Sequence, residues 1–126
     1  MQNFIYPKGS GEIFPLLART ATITSDAFTN NGARGLHVVV DVTAAADTPS
    51  IVPTIQAFDV ASGKWYDLLV GTAITGVSTN VFRLYPGITA AAGASVSDAL
   101  PIVFRVKVTH ADTDSITYSV GFSPLA

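Results

Sequence analysis

The sequence predicts an all-β chain folded as a single-domain β-sandwich of about seven strands, on three observations. Apolar residues recur with period two in segments rich in Val, Ile and Thr. Turn residues separate these segments at short spacing. No stretch of about ten residues carries the 3.6-residue period of an amphipathic helix. An immunoglobulin- or fibronectin-like sandwich is the first expectation and a jelly roll the second. The 126 residues suit one domain, divided as an N-terminal arm over residues 1–15 and a sandwich over residues 16–126.

The arm holds Phe4, Ile5 and Tyr6 among Pro7, Gly9 and Gly11, which disfavour a regular element. Three large apolar side chains there imply packing, either on the arm's own domain or on a neighbouring subunit. Residues 16–24 read as the first strand. The Asn30-Asn31-Gly32 turn follows, since Asn and Gly tolerate positive φ. Residues 34–43 form the clearest strand, with Leu36, Val38, Val40 and Val42 on one face and His37, Val39 and Asp41 on the other. Residues 51–58 form the next strand. Pro53 within it lacks a ladder donor and predicts an edge or a bulge. The turn from Asp59 to Lys64 joins it in a hairpin to residues 65–70.

Residues 81–85 form a short strand stopped by Pro86-Gly87. Residues 88–100, rich in Ala, Gly and Ser, read as a long loop with room for one helical turn. Pro101 opens a strand over residues 102–109. Its inward face is expected to be Ile102, Phe104, Val106 and Val108, with Arg105 and Lys107 pointing out. The turn from His110 to Asp114 then leads into residues 115–122, which present Ile116, Tyr118, Val120 and Phe122 on one face. These last two strands read as the best-defined hairpin.

Composition narrows the function. The chain is 48% hydrophobic and 13% charged, against about 25% charged for an ordinary soluble domain. The exterior must therefore come from Ser, Thr, Gly and Ala, or part of it must be covered, with a partner as one option. A net charge of −2 with dispersed Lys and Arg disfavours nucleic-acid binding. No apolar run approaches the roughly 20 residues of a membrane span, and no signal peptide is visible at the N-terminus. The absence of cysteine removes thiolate and disulfide chemistry, and with two distant histidines a zinc site is not expected.

No catalytic residue emerges. There is no Gly-x-Ser-x-Gly elbow. His37 reads as a strand residue and His110 as a turn residue rather than as bases. Asp112 and Asp114 are the closest carboxylate pair, and in a short turn such side chains bond their own backbone; a weak calcium site is the alternative. Neither cofactor nor metal is expected. Trp65, Tyr66 and Tyr85 form a candidate platform for sugar rings. Against that, neighbours alternate in a strand, so Trp65 and Tyr66 cannot face one way, and Trp65 is expected to be the core tryptophan.

The stretches GARGLHVVVDVTA, TIQAFDVASGKWYDLL, VFRLYPGIT and FRVKVTHADTDSITYSVGF resemble small virion structural proteins of tailed bacteriophages and prophages, of the capsid-decoration or cement type. The resemblance covers residues 19–121, and its shared features are strand cores and turns. It implies a structural part of a virus particle, made in the host cytoplasm and bound to other virion proteins, above all the major capsid protein. Homo-oligomerisation is compatible with that role. The neck or tail of the particle, or a carbohydrate-binding module for the host surface, is the alternative. The candidate partner contacts are Phe4, Ile5 and Tyr6 of the arm and Ile88, Val96 and Leu100 of the long loop.

Overall fold

A computed structural model describes residues 11–126. Among the described residues ten strands form two sheets: β1 (Gly11–Arg19), β2 (Ile23–Thr24), β3 (Phe28–Thr29), β4 (Gly35–Ala45), β5 (Ile51–Asp59), β6 (Lys64–Val70), β7 (Ser78–Leu84), β8 (Ser95–Val96), β9 (Val103–His110) and β10 (Ile116–Leu125). Sheet A runs β1-β10-β4-β7-β8, and sheet B runs β2-β9-β5-β6 with β3 also on β9. No helix occurs among the described residues.

The antiparallel pairings nest. β1 pairs β10, β2 and β3 pair β9, β4 pairs β7, and β5 pairs β6. This is one long hairpin, with the β5–β6 turn at its tip, rolled so that successive pairs fall in alternate sheets. β4 lying against β10 and β5 against β9 completes each sheet. The sandwich expectation holds, and the strand order is that of the jelly roll rather than the immunoglobulin arrangement.

The core follows the period-two pattern. Leu36, Val38, Val40 and Val42 of β4 and Ile116, Tyr118, Val120 and Phe122 of β10 are buried. From sheet B they meet Phe104, Val106 and Val108 of β9 with Ile51 and Ile55 of β5. Phe28 stacks on Phe122 and tilts against Phe104, with ring centroids 5.3 and 5.5 Å apart. Burying such side chains contributes roughly 1.5–3 kcal/mol each.

Several sequence expectations change. The first strand begins at Gly11, inside the segment read as arm, and ends at Arg19; residues 23–24 belong to the other sheet. β9 and β10 are not a hairpin. They lie in different sheets, and the turn between them crosses the sandwich, tied by Ala111 N–H to Ser50 C=O and Ala46 N–H to Ser115 C=O. Period-two patterning places both apolar faces inward in either arrangement, so sequence could not separate them.

Ile102 is exposed, because it sits in a bend ahead of β9, where its carbonyl accepts from Asn30 N–H. Pro53 lies in β5, an interior strand. Ile51 exchanges both backbone bonds with Ile74, and the Pro53 carbonyl, on the same side, accepts from Gly71 N–H. The missing donor of Pro53 therefore points past the end of β6, and the β9 ladder is untouched. The long loop contains no helix. It folds as a tight turn in which Ala91 C=O accepts from Ala94 and Ser95, and β8 then runs parallel to β7.

Candidate interaction surface

The outer face of sheet B carries the most organised set of side chains. Cross-strand register puts Arg105, Gln56 and Asp67 in one row across β9, β5 and β6, and pairs Phe58 with Trp65 beside it. Residues directly opposite share a face. Gln56 Nε2 donates to Asp67 Oδ1 at 2.8 Å, and Arg105 Nε donates to Gln56 Oε1 at 2.8 Å. The Arg105 guanidinium lies 4.1 Å from the centroid of the Trp65 ring, which in turn meets Phe58 at 5.1 Å. Gln56 is only 8% exposed, so its amide is fixed by both neighbours and the arginine is held flat.

Trp65 is therefore not the core tryptophan. The Phe58–Trp65 pairing sets it on the outer face, half-buried, while the interior is filled by Tyr118 and phenylalanines. Tyr66 pairs with buried Ala57, on the opposite side of the edge strand, and remains exposed. Tyr85 follows β7 in the other sheet, and its hydroxyl donates to the Ala126 carbonyl. The three aromatics read as a sugar platform do not share a face, and the Trp65 ring is already stacked on Arg105.

Of the candidate partner contacts, Phe4, Ile5 and Tyr6 lie outside the described residues. Leu100 is buried in the core, Val96 packs against it, and Ile88 is half-buried. The loop that carries them is bonded at both ends: Thr72 N–H to Gly93 C=O, Gly87 N–H to Ser97 Oγ, and Leu100 N–H to Arg34 C=O.

The polar residues weighed for chemistry are scattered. His37 stands half-buried on the outer face of sheet A, where burial and then the Arg83 charge push its pKa down. His110, at the end of β9, shares a 2.9 Å hydrogen bond between Nε2 and the Tyr118 hydroxyl. Burial, followed by the Arg19 charge, lowers its pKa against the opposing pull of Asp112. Burial raises Tyr118 to about 12, although the Arg19 guanidinium, 4.8 Å from its ring centroid, pulls the other way. Arg19 itself is tied to the Leu17, Pro15 and Tyr118 carbonyls.

Asp112 Oδ1 accepts from Asp114 N–H, the local turn bond expected of it, whereas Asp114 Oδ2 accepts from the Thr48 backbone and hydroxyl and so ties its turn to the β4–β5 connection instead of to its own backbone. No group of three or more His, Asp or Glu side chains able to hold a metal occurs among the described residues. A groove of about 480 Å³ opens between β1 and the β2–β3 segment, lined by Glu12, Phe14, Ser25, Asp26 and Phe28 among others.

The Arg105–Gln56–Asp67 row escaped sequence reading because its members are far apart in the chain. One signal was present: a glutamine inside the apolar run TIQAF, at a position with both strand neighbours. No family model, curated protein or solved structure matches the chain.

Proposed function

We propose that this chain is a non-enzymatic structural protein of a bacteriophage particle, a capsid decoration or cement protein bound to the major capsid protein. The observation that carries the reading is the likeness of four stretches to such proteins. Those stretches supply most of β4, of the β5–β6 hairpin, of β7, of β9 and of β10. Low charge also supports it, since the centres of protein interfaces are depleted in charged residues. So does a rigid scaffold whose buried side-chain polar atoms all have partners among the described residues. The jelly roll hosts viral capsid domains and lectins alike, so strand order leaves both readings open. The stacked state of Trp65 and the opposed directions of Trp65 and Tyr66 weigh against the carbohydrate module.

Cryo-electron microscopy of purified particles tests the proposal. Density for the sandwich on the capsid shell is the expected result. Density at the neck or tail moves the protein to that location, and its absence from particles overturns the reading. Titration of Trp65 fluorescence with glycans tests the carbohydrate alternative, for which no saturable change is expected.

A further inference from the structure

The outer face of sheet B carries a row that is positive at one end, Arg105, negative at the other, Asp67, and neutral at Gln56 between them. The row is locked from within by Gln56 and Trp65. Arg105 spends only Nε on Gln56, and its two Nη groups have no acceptor among the described residues. Asp67 spends Oδ1 on Gln56, and its other oxygen has no donor among them. An arginine held against a tryptophan has the composition of a protein-binding hot spot, and a side chain already fixed loses little entropy on docking.

A partner of a single charge sign would satisfy one end of this row and repel the other. A second copy satisfies both, because a twofold operation near Gln56 exchanges the ends of the row. We propose that this face is a twofold contact between copies of the chain, with Arg105 of each copy meeting Asp67 of the other. Trp65 and Phe58 supply the apolar part of the contact, and Val70, exposed on the same face beside Thr54, extends it. The proposal is independent of a role in a virus particle and is testable on the isolated protein.

Sedimentation velocity over a concentration series, from about micromolar to about millimolar, reads the outcome, since small interfaces associate weakly. The unmodified chain is expected to dimerise. Asp67→Arg and Arg105→Asp are each expected to weaken self-association by about tenfold or more, because each opposes like charges twice. An equimolar mixture of these two variants is expected to regain the dimer, since every contact then pairs opposite charges.

An unmodified chain that stays monomeric, single variants that dimerise as before, or a mixture that stays monomeric each overturns the proposal. Should Arg105→Asp fail to fold, Asp67→Arg carries the test alone. Folded and weakened in association is the expected result, and folded with unchanged association overturns the proposal.

Discussion

Val40 has no exposed surface and pairs across sheet A with Val120 and Asn80, while its neighbour Asp41 faces outward and accepts from the Thr79 hydroxyl at 2.7 Å. A carboxylate at position 40 would be buried without a partner, which costs several kcal/mol or forces protonation. Val40→Asp is expected to abolish the cooperative melt seen by circular dichroism. Asp41→Asn keeps an acceptor for Thr79 and should change stability by less than about 0.5 kcal/mol.

The histidines give a second expectation at the same scale. Both His37 and His110 have folded-state pKa values below the ordinary 6.5. The unfolded chain therefore binds more protons as pH falls below 6.5, and stability drops as pH falls through the folded values. Tyr118 works in the opposite window. Its contribution is complete below 10 and is lost as pH rises through about 12. Melting temperature should thus fall between pH 7 and pH 5. His110→Gln, neutral throughout, should shallow that acid limb, and an unchanged slope would count against the assignment.

At the scale of elements, the β5–β6 hairpin and the β7–β8 loop show how turns are held. In the hairpin, Asp59 Oδ2 accepts from the Ser62 amide and hydroxyl, and Gly63 takes φ of +72° with open space where a Cβ would go. The same bonds hold the Asp59 carboxyl below its usual range. In the loop, Gly93 has φ of +76°, and a Cβ there would lie 2.1 Å from Thr72 Oγ1 and 3.0 Å from Thr72 N. Gly63→Ala therefore carries only the left-handed backbone cost of about 1 kcal/mol. Gly93→Ala adds a clash with the Thr72 hydroxyl and a tight approach to its backbone nitrogen, and thermal melts should show it at least about twice as destabilising. Equal losses would place the loop differently from the packing described.

At the scale of the whole molecule, nested pairing makes most contacts distant in sequence. Folding in milliseconds to seconds is expected for such β topologies, and stopped-flow refolding measures it. Trp65 reports on the same architecture. It sits half-buried outside sheet B with Arg105 across its ring. Acrylamide should quench its native fluorescence measurably, and resistance typical of a core indole would return Trp65 to the interior.

The sequence by itself determined the fold class, the faces of β4 and β10, the β5–β6 hairpin and the turn role of Asp112, because period two and turn chemistry are local and repeat within a few residues. The tertiary structure decided which strand neighbours which. Only the rolled topology separates β9 from β10, admits Pro53 to an interior strand and buries Leu100. It also brings Gln56, Asp67 and Arg105, far apart in the chain, into one row. The physical reason is that an inward apolar face satisfies burial in either sheet, whereas strand partners and side-chain networks depend on long-range register that the period-two pattern does not encode.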